Sequence, residues 1–372
     1  MTPDDCTLEV RSDNDLLAAI PYMFGFHPAD SVVVVAFRGR TLVFAARQDL
    51  HPDSDRATEA ANQVAELVLR QDVDGAMIIG YGERDRVTPT VRRVSRALRL
   101  AEVPIVDELR LTGERYWSYR CEEHGCCSAE GREYRPEKTT VAATATFAGQ
   151  VALPDRATLI ARIAAVTGAE RAAMVAATAR AEDRIVELLA RDLPDAGLAR
   201  SIRRAGRAAV RDAERRYRSG RRLDDDEVAW LGALLADIPV RDYAWERIGV
   251  EDWCADLWTD VVRRVEPAYV PAPACLLGFA AWRQGQGALA YAAVDRAVAA
   301  DPEYTMAGLL AQILELGLSP AAVVGWPPVD RLDLGDIAPF TEPPPRRPTI
   351  PRRRGPAAGS GRNRRRSRRR AV

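Results

Sequence analysis

Four consecutive valines, Val32, Val33, Val34 and Val35, constrain this chain more than any other feature. Branching at each Cβ stiffens the run, and an apolar stretch without polar alternation fits a strand covered on both faces. Such a strand needs a layer above and below it, and the alternation of strands with helices that follows points to a layered α/β domain. Just before them, His27-Pro-Ala-Asp-Ser31 has good turn chemistry. It delivers three polar side chains, His27, Asp30 and Ser31, to the edge of that strand.

The flanking residues extend the pattern. Ser12 with Asp15 three positions on predicts an N-cap for a helix ending near Pro21 or Phe24. Residues 32–37 and 41–47 read as an antiparallel hairpin turning at Arg38-Gly39-Arg40. A helix over 56–70, a buried strand over 76–81, a helix over 89–100 with Pro89 in its first turn, and a strand over 103–111 follow. Residues 115–120 and 139–147 add strand-like segments, so the sheet is expected to be mixed, with helices packed on it.

Beyond Leu153-Pro-Asp155 the β-branched runs vanish. Residues 156–167, 170–192, 197–219, 224–238 and 251–265 have helical texture. Five of the seven tryptophans fall between Trp230 and Trp282. At helical spacing this fits core packing, with a stacking surface for bases or sugars as the other reading. From Ala274 to Pro302, the placement of Leu277, Gly278, Ala281, Ala290, Val294 and Ala297 follows tetratricopeptide spacing. It predicts one helical hairpin, capped by a helix over 304–316. The expected organisation is an α/β domain over 1–153, an all-α domain over 154–325 and a disordered Pro/Arg-rich tail over 326–372.

Charge is unevenly distributed. The formal net charge is +0, with 53 basic and 53 acidic residues. Residues 343–372 hold twelve arginines and no acid, which leaves the remainder at a formal −12. Arg352, Arg353, Arg354, Arg364, Arg365, Arg366, Arg368, Arg369 and Arg370 are the candidates for contact with nucleic acid or another polyanion. Folding back onto the acidic body is the alternative. The first residues lack a basic region and an apolar core, so no signal peptide is expected, and no apolar run approaches a membrane span. Six cysteines without an export signal suggest thiols or metal ligands in a cytoplasmic protein.

Two constellations could carry chemistry. With the hairpin closing at Gly39, Ser31 is expected beside Arg47, and Asp30 near Gln48 and Asp49. His27, Asp30, Ser31, Arg47 and Asp49 would then gather at one end, offering an imidazole, a carboxylate and a hydroxyl for acid–base or nucleophilic work. The same residues also make an ordinary capped turn. Moreover, the turn precedes its strand, whereas ligands in open α/β sheets lie beyond carboxyl ends. The second constellation is Cys121, His124, Cys126 and Cys127, four zinc-type ligands within seven residues. Its spacing departs from that of structural zinc sites, so buried thiols or a Cys121–Cys126 disulfide compete with it. No glycine-rich phosphate loop, zinc-hydrolase helix or nucleophile elbow is present in the sequence.

Residues 21–35, 47–50, 117–127 and 287–304 together resemble an actinobacterial family catalogued as domain of unknown function 4192. The resemblance spans nearly all of the expected folded chain and implies a layout without assigning an activity, a cofactor or a role to any residue. The leading functional expectation is a cytoplasmic binding or scaffold protein whose α/β domain recognises a protein partner or small ligand. An enzyme using the hairpin-end cluster is the alternative.

Overall fold

The computed structural model describes residues 10–121, 128–191 and 195–323. Ser12 caps α1 (Asp13–Phe24) by accepting from the Asp15 amide, and Gly25 ends it at φ 74. The valines form the centre of β1 (Ser31–Arg38), which turns into β2 (Thr41–Asp49). Next come α2 (Ser54–Leu69), β3 (Gly75–Tyr81), α3 (Arg84–Leu100), β4 (Ile105–Thr112), β5 (Arg115–Ser118) and β6 (Arg132–Glu133). The strands make one sheet in the order β2-β1-β3-β4-β5-β6, in which only β3 and β4 are parallel neighbours.

The valine run is sealed on both faces. Val32 and Val34 pack with Ala61, Val64 and Val68 of α2 and Val91 and Val94 of α3. Val33 and Val35 pack with Leu16, Leu17 and Ile20 of α1. Gly80 lets α3 settle close to the sheet, because a Cβ there would stand 2.9 Å from a Val91 methyl.

Three expectations need correction. The hairpin register is displaced by two residues: Ser31 pairs with Asp49, and Arg47 with Val33. One residue of the shift arises at the turn, where Arg38 pairs with Thr41, and the other at Val43, an extra, bulged residue between Phe44 paired with Ala36 and Leu42 paired with Phe37. Residues 139–147 are not a strand; Thr140–Phe147 is α4. The Thr139 hydroxyl caps it, Thr144 and Thr146 bond back to carbonyls four residues earlier, and Val141 packs with Ala18 and Ala19 of α1. Helical i, i+4 burial of Val141 and Ala145 therefore outweighs an alternating Thr/Ala texture. Finally, α3 starts at Arg84, which leaves Pro89 inside the helix rather than in its first turn.

The helical region comprises α5 (Arg156–Ala161), α6 (Gly168–Arg191), α7 (Asp195–Arg218), α8 (Asp225–Leu234), α9 (Ile238–Glu246), α10 (Asp252–Arg264), α11 (Pro271–Arg283), α12 (Gly287–Ala300) and α13 (Thr305–Glu315). The sequence reading ran α5 too long and left α9 out. Helices α6 to α13 share one apolar core. Trp258 and Trp282 are buried in it, and Trp230, Trp245 and Trp253 pack against it. Consecutive helices α11 and α12 approach closely at Gly278, where a Cβ would meet Val294 at 2.9 Å. The region joins the sheet layer through Gln71, which donates to the Gly317 carbonyl (3.2 Å). Among the described residues, no helix is long and apolar enough to cross a membrane.

Candidate functional site at the carboxyl edge of the sheet

Strand directions decide where the polar turn lies. β1 is antiparallel to both β2 and β3, and β3 is parallel to β4. Hence β2, β3 and β4 all run one way, and their carboxyl ends share an edge with the amino end of β1. Ser31 pairs with Asp49 on one side and Tyr81 on the other, and Tyr81 pairs with Leu111. The turn precedes its own strand yet sits where open α/β sheets place ligands. Two helices, α2 and α3, begin at the same edge and bring the positive ends of their backbone dipoles to it.

Asp53 accepts from the Asp55 and Arg56 amides and so caps α2. No side chain caps α3. Arg86 in its first turn instead forms a 2.7 Å ion pair with Asp30. Asp30 holds φ 42, a left-handed conformation that aspartate tolerates better than most residues. Gly82, at φ 134, passes so close that a Cβ would lie 3.1 Å from the Asp30 carboxylate. A glycine after β3 is therefore a condition for this contact.

Arg47 is held from three sides. Its guanidinium pairs with Asp49 (2.7 Å), donates to the Ala29 carbonyl (3.3 Å) and lies 5.5 Å from the Phe26 ring centre. Arg156, at the start of α5, adds a 3.7 Å contact to Asp49. The backbone of the turn is tied to the approach to α5, since the His27 amide donates to the Leu153 carbonyl (2.9 Å) and the Leu153 amide to Gly25 (2.8 Å). Asp30, Arg47 and Asp49 thus share one corner. The His27 side chain is exposed and makes no hydrogen bond among the described residues. It does not engage Asp30 or Ser31, so no base–nucleophile pair is assembled.

The corner also buries unpartnered polar atoms, on the candidates Ser31 and Arg47 and on two residues outside the candidate set, Gln48 and Tyr81. Ser31 is fully buried and its hydroxyl has no partner. The hydroxyl of Tyr81, whose backbone pairs with Ser31, the Arg47 Nε and both amide atoms of Gln48 are likewise buried and unpartnered. Ser31, Arg47 and Tyr81 belong to the α1 face of the sheet. Gln48 pairs with Val32 and belongs to the opposite, α2–α3 face. Burial raises the Tyr81 pKa well above its ordinary value, so the phenol remains protonated and acts as a donor. An unmet buried polar atom costs about 1–3 kcal/mol, and four such side chains on adjacent strand ends form a concentrated debt.

The other sequence candidates fall elsewhere. Cys121 is described and half-buried, whereas His124, Cys126 and Cys127 lie outside the described residues. Among the described residues, no cluster of His, Cys, Asp and Glu could hold a metal ion. Burial raises Cys254 to about 11 and Cys275 to about 12, so both are inert thiols in the helical core. The tail arginines from Arg352 to Arg370 also lie outside the described residues.

No curated protein and no solved structure matches this chain. A family match covers residues 14–321, from the first turn of α1 to just beyond α13. The chain therefore belongs to the family described as domain of unknown function (DUF4192).

Proposed function

We propose that the protein is a cytoplasmic binding protein whose α/β domain, residues 1–153, recognises a small ligand at the carboxyl edge of its sheet. One observation carries this reading: Ser31, Arg47, Gln48 and Tyr81 bury polar atoms there that no protein group meets. Groups of this kind are normally satisfied by protein, water or a bound molecule. The uncapped start of α3 and the Arg86–Asp30 pair at the rim add donors and charge of the type that orients a polar ligand. The helical domain, residues 154–325, acts as scaffold, with α11 and α12 as a tetratricopeptide-like hairpin offering a surface to a protein partner. The arginine tail contacts polyanions.

The experiment is native mass spectrometry of the full chain purified from its own host, comparing wild type with Ser31→Ala and Gln48→Met. A retained low-mass ligand that both substitutions reduce fits the proposal. Equal occupancy in all three proteins, or a ligand-free wild type that takes up nothing from host extract, contradicts it. Catalysis at the same corner is a second reading, favoured by its location beyond three carboxyl strand ends. It requires Ser31 to be uncovered and His27 to turn inward when the ligand binds.

A further inference from the structure

Many arginines on the folded surface have an assigned partner, and of those that have none among the described residues, three converge with Arg221 on one cavity. Between α5, the end of α7 and α10 lies a cavity of ≈ 390 Å³ lined by Arg162, Arg221, Arg222 and Arg263, with Asp256 and Thr259. Two carboxylates face these four guanidinium groups, and only one is uncommitted. Asp260 already accepts from the Tyr217 hydroxyl (2.5 Å) and from Arg264 (2.9 Å). Asp256 makes no hydrogen bond or ion pair among the described residues. Of the arginines, Arg221 donates only to Ser219 (3.2 Å). Arg162, Arg222 and Arg263 make no side-chain hydrogen bond or ion pair among the described residues, and Nε of Arg263 is buried without a partner.

The excess positive charge is not cancelled from behind. Arg296 packs near Arg263, donates to the Val262 carbonyl (2.8 Å) and leaves its own Nη1 buried without a partner. Its pKa is lowered from the ordinary arginine value, first by burial and then by the charge of Arg263. Like charges held this close, with donors unmet, create a site that an anion would relieve. Planar guanidinium forks match phosphate oxygens in pairs, and a hydroxyl such as that of Thr259 supplies a further donor.

We propose that this cavity binds a small phosphorylated ligand, its phosphate oxygens held by Arg162, Arg221, Arg222 and Arg263. The cations converge on one cavity instead of forming a stripe along the surface. That arrangement suits a compact anion better than a nucleic-acid backbone, which needs charges spaced along its length. The proposal does not depend on the sheet-edge reading, because it uses no residue of that corner.

The test is calorimetric titration of the full chain with pyrophosphate at constant ionic strength, using wild type, the double variant Arg162→Gln/Arg222→Gln and Asp256→Asn. The substituted arginines are exposed and bear no structural contact, so folding should be kept, and circular dichroism checks this. Losing two charge-assisted contacts should weaken binding about tenfold or more, and removing the cavity's uncommitted carboxylate should tighten it. These opposite shifts separate the cavity from the arginine tail, which all three proteins share. A parallel titration with adenosine diphosphate distinguishes a free polyphosphate, preferred as pyrophosphate, from a phosphate ester. Affinity within twofold of wild type in the double variant overturns the proposal. So does failure of Asp256→Asn to tighten binding, or binding of a duplex oligonucleotide without any of pyrophosphate.

Discussion

At the carboxyl edge of the sheet, Ser31, Gln48 and Tyr81 bury polar atoms that no protein group meets. At the centre of the helical core the opposite holds. Buried Arg264 donates to Asp260 (2.9 Å), Asp225 (2.5 Å) and the Leu223 carbonyl (2.9 Å), and Asp260 also receives the Tyr217 hydroxyl. Close by, Arg247 grips buried Glu214 with two bonds of 2.6 and 2.7 Å. Both regions place polar groups where water does not reach. The Arg264 and Arg247 networks resolve theirs internally, as expected of polar groups whose task is to fix packing, whereas Arg263 and Arg296 at the cationic cavity keep buried donors unmet. The sheet edge leaves them open, as expected of groups whose partner is not part of the chain.

The largest effect should come from damaging the satisfied network. Arg264→Met leaves Asp260 and Asp225 facing each other without their cation, and chemical denaturation should show a loss of about 3–5 kcal/mol. A loss below about 1 kcal/mol would mean that the helical network is as loosely held as the sheet edge, and the contrast would fail.

Alkaline titration sharpens the contrast from the other side. Burial raises the Tyr81 pKa well above the usual phenol value of about 10. Burial, then Tyr22 and Glu137, pushes Tyr134 up to about 12. The folded state therefore holds these protons more tightly than the unfolded chain does. Their contribution to stability is complete below the unfolded pKa and is lost as pH rises from there through the folded values. Tyr81→Phe should flatten the decline above about pH 10 and remove one late step from the tyrosinate absorbance titration. An unchanged titration would mean that the Tyr81 hydroxyl is in contact with solvent.

The smallest effect on folding should follow removal of residues 343–372. Proline and arginine contribute little buried apolar area, so the melting temperature should remain within a degree or so of the full chain. Formal charge moves from +0 to −12. Retention on heparin should fall sharply, and binding by the full chain should drop by orders of magnitude between about 50 and 200 mM salt. Undiminished heparin binding by the truncated chain would assign polyanion contact to the folded part.

The elements built from local signals were legible in the sequence. The valine strand, the Ser12 cap and the hairpin follow from β-branching, capping chemistry and a Gly turn. What was not legible came from pairing. The two-residue turn at Gly39-Arg40 and the bulge at Val43 each shift the register by one, so counting outward from Gly39 misplaced Arg47. The insertion of β1 between β2 and β3, antiparallel to both, was equally invisible, and it reverses the argument that the polar turn lies at the wrong edge. Gln48, Tyr81, Gly82 and Arg86 join the corner from β2, β3 and α3, at sequence separations no local motif spans. The Arg162–Arg263 cavity needs three helices to assemble, and in a chain with so many arginines its members carry no individual mark.

The central claim is that the sheet edge is left unsatisfied for an external partner, and Gln48 tests it most directly. Gln48→Met keeps the size of the side chain and removes both unpartnered amide atoms. In ligand-free protein, chemical denaturation should show a gain of about 1–2 kcal/mol in stability with an unchanged denaturant slope. A loss of stability would mean that Gln48 already has its partners within the folded chain, and the account of this edge as a binding site would be wrong.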